Sequence, residues 1–222
     1  MLYNKAVESV TEILSEPIAN KNITAAINLV DDLFQAMVTD PVTHRDLFRL
    51  FQRDDTIFNH SANVCLLAVS FGTFLGLDAK KVKVLGLGAL FHDLGMNRID
   101  KKILAKKAPL TDHEWREIRL HPERGYSILK SSVIVPLASL RVVLEHHEKE
   151  DGSGYPRGIK HDKISTMARI CRLVDKYDAM TTEKPYRKAF KASEALKRIF
   201  WEESDARFQQ VIKKFVHFLG GQ

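Results

Sequence analysis

Apolar residues recur along most of this chain at intervals of three and four, the period of an amphipathic helix. Nowhere do they alternate over a length that would make a strand. Val7, Val10 and Leu14 predict a helix over 4–14, ended by Pro17. Ala26, Leu29, Val30, Leu33 and Met37 predict a second, capped by Asn22 or Thr24 and stopped by Pro41. Leu47, Leu50 and Phe51 predict a third over 43–53. These three hold no cluster of polar groups, so residues 1–45 are expected to pack or interact, with the main domain over 46–222. Val64, Leu67, Ala68, Phe71 and Leu75 make the next helix face, and His60 lies one turn earlier on that face.

The nearly unbroken apolar run from Val82 to Phe91 predicts a buried central helix over 79–91, delivering His92 and Asp93 at its end. Gly95 allows a sharp exit. Thr111 and Glu114 have the spacing of a capping box, for a helix that carries Trp115 and Ile118 inward and ends at His121-Pro122. A helix from Pro136 ends in His146-His147, and a glycine-rich loop over 150–158 follows. The next helix, from Ser165, places Ala168, Cys171, Asp175 and Asp178 on one stripe. A basic loop over 183–188 leads to two closing helices, the last with Phe208, Val211, Ile212, Phe215 and Leu219 inward. The expected fold class is all-α.

Bulk composition narrows this little. The chain has 222 residues, 45% hydrophobic and 28% charged, which suits one large globular domain or one domain with a helical appendage. A net charge of +6 favours an anionic ligand, but no basic run with interleaved aromatics suggests DNA or RNA binding. Cys65 and Cys171 lie in apolar-periodic segments and read as buried thiols rather than a disulfide. The N-terminal residues lack an apolar signal region, and no stretch of about 18 apolar residues occurs, so a cytoplasmic protein without a membrane span is expected.

The chemistry begins with His92-Asp93. A carboxylate ending a buried helix is costly unless it is paired or binds a metal. His60, His121, His146, His147 and Asp175 all fall at inward or helix-end positions, unlike His44, His113, His161 and His217. Burying five imidazoles and two carboxylates among Leu, Val and Phe is unfavourable unless a cation holds them together. The donors are all nitrogen or oxygen, which suits Fe, Mn, Zn, Ni or Co. A centre of two such ions lowers the pKa of bound water from 15.7 to about 7 and stabilises an in-line displacement at phosphorus.

Six motifs then carry a resemblance. They are His60-Ser61-Ala62-Asn63-Val64, His92-Asp93-Leu94-Gly95, His121-Pro122-Glu123-Arg124-Gly125, His146-His147-Glu148, the loop Asp151 to Gly158, and Lys184-Pro185-Tyr186-Arg187-Lys188-Ala189. In this order and spacing they resemble the HD-GYP family of cyclic di-GMP phosphodiesterases, a subset of the HD-domain metal-dependent phosphohydrolases. The resemblance covers roughly residues 45–200 and implies a helical bundle of HD-domain type. It implies that His60, His92, Asp93 and Asp175 hold one metal, and that His121, His146 and His147 hold the second. Asp93 bridges the two and positions the hydroxide, which makes it the catalytic residue. Lys184, Arg187 and Tyr155 are implied in substrate binding, and the Gly154-Tyr155-Pro156 loop in contacts with GGDEF cyclase domains. A homodimer is among the expected assemblies.

Two positions depart from the family. Some members carry a Glu four residues before the first histidine, ligating a third metal; Thr56 stands here, which implies two ions, Fe or Mn ahead of Zn, Ni or Co. The family usually has Lys directly after the His-Asp-x-Gly motif, and Met96 stands here, with no charge or proton to offer. The implied function is hydrolysis of cyclic di-GMP to pGpG, and onward to GMP. The alternative is a weakly active or inactive metal- and nucleotide-binding signalling module.

Overall fold

A computed structural model describes residues 10–14, 20–39, 57–184 and 187–220. Among them the regular elements are helical, and the lone β-type pairing is a bridge between Lys184 and Arg187. The all-α expectation holds. The helices, numbered here in chain order, are α1 (Asn20–Thr39), α2 (Ile57–Phe74), α3 (Ala79–Phe91), α4 (Lys101–Leu104), α5 (Asp112–Ile118), α6 (His121–Leu129), α7 (Leu137–Glu145), α8 (Thr166–Thr181), α9 (Ala192–Trp201) and α10 (Ala206–Gly220). A short 3-10 turn, Leu94–Arg98, follows α3.

Helix α3 starts where the Asp78 side chain accepts from the Lys81 amide, filling an orphan donor of the first turn. After its exposed, lysine-bearing first turn it is apolar on every side from Val84 on, because it is covered there on every side. Val82, Leu87, Leu90 and Phe91 join one core with α1 and residues 10–14, while Leu85 and Ala89 join another with α8 and α10. Helix α2 divides in the same way. Cys65, Leu66 and Val69 face α1; Val64, Leu67, Ala68 and Phe71 face α8 and α10. Phe71 meets Phe215 and Phe218 of α10 with ring centroids 4.9 and 5.4 Å away. Each such buried ring contributes roughly 1.5–3 kcal/mol. Both thiols are free and buried, and burial pushes the Cys65 thiol up to about 12.

Three expectations need correction. Helix α1 begins at Asn20, ahead of the expected caps. The capping box of Thr111 and Glu114 forms, but α5 stops at Ile118, and His121 opens the new helix α6 with Pro122 in its first turn. Proline suits a first turn because its missing N–H would be unbonded there anyway. Trp115 is 47% exposed rather than inward. Helix α5 buries no residue fully; it is held from its polar side, where Lys106 pairs with Glu114 at 2.6 Å, so its tryptophan is not drawn into the core. The helix expected over 43–53 and the departure at Thr56 lie outside the described residues, as does Val7.

Candidate metal centre

Three of the histidines sit where a helix ends. His92 caps α3, His146 caps α7, and His121 follows the end of α5. The last carbonyls of a helix lack intrahelical partners. Here each ring supplies one: His92 Nδ1 donates to Ala89 O (2.7 Å), His121 Nδ1 to Ile118 O (2.8 Å) and His146 Nδ1 to Val143 O (2.8 Å). A carbonyl only accepts, so Nδ1 carries the proton and Nε2 keeps its lone pair. The hydrogen bond thus fixes both tautomer and aim, as in metal-ligating histidines generally.

The three Nε2 atoms, with that of His60, converge on Asp93. The two oxygens of Asp93 divide between two sets. Oδ2 lies 3.8 Å from His60 Nε2 and 3.5 Å from His92 Nε2; Oδ1 lies 3.2 Å from His121 Nε2 and 3.9 Å from His146 Nε2. Asp175 Oδ1 adds to the first set, 3.1 Å from His60 Nε2 and 3.8 Å from His92 Nε2. His147 adds to the second, its ring 4.1 Å from His146 and 4.9 Å from His121 between centroids. The ligand atoms of Asp93, His121, His146 and His147 lie within 4.8 Å of one another, as do those of His60, His92 and Asp93. All seven residues expected as ligands from the sequence are brought together.

Two details fit a cation between them. His92 Nε2 is buried with no hydrogen-bond partner. His121 Nε2 and His146 Nε2 stand 3.1 Å apart, although both Nδ1 protons are spent on carbonyls, so two lone pairs face each other. Protonating His146 would relieve that, but burial, then the imidazoles of His147, His92 and His121, hold its pKa well below 6.5. His147 is lowered likewise, by burial first and then His121. Against their own burial, Asp93 and Asp175 are held far below the usual carboxylate range. Asp93 owes this to His92, His121 and His60, and Asp175 to its hydrogen bond with His60 and to His92. Ionised carboxylates beside the neutral imidazoles of His146 and His147 are donors a divalent ion needs.

Sequence reasoning missed the supports. Asp178 Oδ2 takes the His60 Nδ1 proton at 2.7 Å, and its other oxygen accepts from Asn63 at 3.0 Å. Burial lowers the His60 pKa, but hydrogen bonds to Asp175 and Asp178 outweigh it and raise it well above 6.5. Asp178 was visible on the Asp175 stripe, three residues on. Less visible were Glu145, Glu148 and Glu150, all buried. Glu148 accepts from the Arg157 and Ile159 amides (2.7 and 3.1 Å), Glu145 from the Ser165 amide (2.8 Å), and Glu150 grips Arg169 (2.6 and 3.1 Å). They tie down the glycine-rich loop. Gly154 lets that loop lie on the His147–Lys149 backbone, since a methyl there would fall 2.3 Å from the Lys149 nitrogen. Tyr155 then stacks on His147 at 4.6 Å. Burial, then Asp93 and Asp175, push its hydroxyl pKa well above 10, so it remains a donor.

The basic loop is placed differently. Lys184 and Arg187 share backbone bonds of 2.8 and 3.0 Å across a tight turn. The Arg187 guanidinium donates to the carbonyls of Ala179 and Met180 at the end of α8 and lies 4.6 Å from the Phe190 ring. Its charge is committed to a helix C-terminus, outside the cluster of metal-facing groups.

Comparison with known proteins agrees with this geometry. Residues 48–210 match a family model described as HD domain. A cyclic di-GMP phosphodiesterase of Pseudomonas aeruginosa is 36% identical over 196 residues, 88% of this chain and 47% of that protein. A 3'3'-cGAMP-specific phosphodiesterase of Vibrio cholerae is 43% identical over 109 residues, 49% of this chain and 23% of that protein. The chain thus spans less than half the length of these relatives. In three dimensions it resembles an HDG"Y"P protein from Bdellovibrio bacteriovorus, with a TM-score of 0.81 at 17% identity, covering 97% of this chain and 70% of the other. The chain belongs to the HD-domain family and carries the His-Asp and Gly-Tyr-Pro motifs of its HD-GYP branch.

Proposed function

We propose that this chain is a metal-dependent phosphodiesterase that hydrolyses cyclic di-GMP to pGpG, and onward to GMP. The observation that carries the reading is the division of the Asp93 oxygens between two histidine sets, which fits a carboxylate shared by two ions. His60, His92 and Asp175 would hold one ion, His121, His146 and His147 the other, with Fe or Mn ahead of Zn, Ni or Co. When bound, such a pair supplies a nucleophile at neutral pH and neutralises charge on the phosphodiester. The residues of the chain do the rest. Ala89, Ile118 and Val143 aim three rings through their carbonyls, Asp178 aims the fourth, and Tyr155 stays protonated beside the two aspartates as a donor toward a phosphate oxygen.

Lys184 and Arg187 are proposed for the substrate phosphates; Arg187 reaches them only after releasing the α8 carbonyls. The Gly154-Tyr155-Pro156 loop is proposed as the contact for GGDEF cyclases, residues 1–45 as a regulatory lobe on the catalytic domain, and a homodimer as the assembly. Among the described residues no helix is long and apolar enough to cross a membrane, and the cytoplasm is proposed as the location. The test incubates metal-loaded protein with cyclic di-GMP and separates the products by chromatography. Appearance of pGpG supports the reading, and none with Fe, Mn or Ni refutes it.

One observation favours a second reading. Met96, half-buried beside the site, carries no charge, and a binding module of low turnover would follow. Calorimetry showing tight cyclic di-GMP binding without hydrolysis, with hydrolysis restored in Met96→Lys, would select it.

A further inference from the structure

Beside the metal centre stands a group of side chains that the ligand set does not use. Arg119 follows α5, and its amide still bonds the Trp115 carbonyl at 3.0 Å, so the backbone is helical there. Residues four apart rise on one helix face. Trp115 and Arg119 therefore stand together, and both are exposed. The Arg119 guanidinium lies 5.8 Å from the centre of the Tyr155 ring, and that ring stacks on His147 at 4.6 Å. The Arg119 guanidinium thus borders the Tyr155 ring beside a metal-facing imidazole, and Trp115 lies one turn before Arg119 on the same exposed helix face.

Arg119 contacts the Tyr155 ring, where several other arginines take carboxylates. Arg124 pairs with Glu117, Arg157 with Glu145 and Arg169 with Glu150. Among the described residues no carboxylate pairs with Arg119. An exposed tryptophan one turn from an arginine that no carboxylate neutralises suits a flat, polar-edged ring. Arginine meets the O6 and N7 acceptors of guanine with two parallel hydrogen bonds, and an aromatic face stacks on any base.

We infer that the Trp115–Arg119 face is the base-recognition wall of this site, Trp115 stacking on a guanine of the substrate and Arg119 pairing with its O6 and N7 edge. The inference rests on the proposed cyclic dinucleotide activity and deepens it: the metal centre holds the phosphodiester, and this face selects the base. Adenine offers N7 but a donor in place of O6, so Arg119 discriminates against it.

The test measures steady-state kinetics of metal-loaded parent, Arg119→Gln, Arg119→Lys and Trp115→Ala on cyclic di-GMP, cyclic di-AMP and methyl p-nitrophenyl phosphate, a small phosphodiester without a base. Metal content and thermal midpoint are read alongside. In Arg119→Gln we expect KM for cyclic di-GMP to rise about tenfold or more, with kcat, metal content and turnover of the base-free diester near parent values. The preference for cyclic di-GMP over cyclic di-AMP should shrink, and Arg119→Lys should recover only part of it, because a lysine cannot make the paired contact. Trp115→Ala should raise KM for both dinucleotides alike. A parent-like KM in Arg119→Gln overturns the inference alone. So does an equal loss on all three substrates with loss of metal, which would mean Arg119 merely props the Tyr155 loop. A parent that cleaves the base-free diester and ignores cyclic di-GMP removes the proposed activity, and this inference with it.

Discussion

Gly95 offers the sharpest single perturbation of the site. It lies two residues after Asp93, where the turn Leu94–Arg98 crosses the start of α6. A methyl added at Gly95 would fall 1.9 Å from the His121 carbonyl oxygen and 2.7 Å from the Gly125 nitrogen. Both are backbone atoms, so no side chain can rotate away. Restoring an ordinary contact of about 3.0 Å requires the two segments to part by about 1 Å, overpacking that costs typically 1–3 kcal/mol. His121 Nε2 and Asp93 Oδ1 now stand 3.2 Å apart. Two ligands on one ion with bonds of about 2.1 Å span at most about 4.2 Å, so the same displacement brings this pair to the limit of sharing a cation. We expect Gly95→Ala to lose the ion proposed for His121, His146 and His147 while retaining the one proposed for His60, His92 and Asp175. The assay loads metal-free protein with manganese, removes the excess, and counts metal per chain beside a thermal melt. Gly220→Ala is the control, because nothing lies within 4 Å of a methyl there. A Gly95→Ala protein with parent metal content and activity would refute the packing argument.

Asp178→Asn removes the charge and leaves one acceptor oxygen for the two donors His60 and Asn63, and metal affinity should fall about 10–100-fold with the helices intact by circular dichroism; chelator competition measures it. The metal-free protein should lose stability as pH falls below 6.5. His146 and His147 are held below that value when folded, so the unfolded chain binds their protons first. His60 runs the other way, but its folded pKa lies above 6.5, so its contribution is lost at higher pH and adds little slope below. Melts between pH 6.5 and 5 in chelator, below the window in which His60 contributes slope, check the sign, and a rising midpoint on acidification there would refute it. Glu148→Gln leaves an amide group facing two backbone donors and should loosen the loop by about 1–3 kcal/mol, read as faster proteolysis within 150–158. Phe71→Ala empties a fully buried ring site and should cost about 3–5 kcal/mol in denaturant unfolding.

What could be read from the sequence was what burial writes locally. The apolar run of α3, the three-four spacing of α2 and the stripe of α8 each record one element covered by its neighbours, and the metal-facing residues stand at marked points on those patterns. The junction at His121-Pro122 was misread because proline stops one helix and starts another equally well, and only the chain's path decides which. Trp115 was misread because helical spacing places a ring on a face without recording whether another element covers that face. Glu145, Glu148 and Glu150 went unmarked because Arg157, Ile159, Ser165 and Arg169, which satisfy them, lie nine to twenty residues onward. Arg187 looked free for the same reason, since its carbonyl partners sit seven and eight residues back.

The placement of the histidines explains why so much of the centre survived that limit. A helix C-terminus carries partial negative charge and unbonded carbonyls. Helices α3, α5 and α7 all end at this site, each on a ring that fills the carbonyl three residues earlier. The same local bond that ends the helix turns Nε2 toward the others, so aim is encoded within four residues rather than by distant packing. The C-termini of α3 and α7 and two ionised aspartates then make the space between them favourable for cations before any coordinate bond is counted, while the positive start of α6 at His121 offsets the end of α5. A site built this way needs the bundle only to bring helix ends together. That is why substitutions at the crossing points, such as Gly95, should act on the metals more than on the fold.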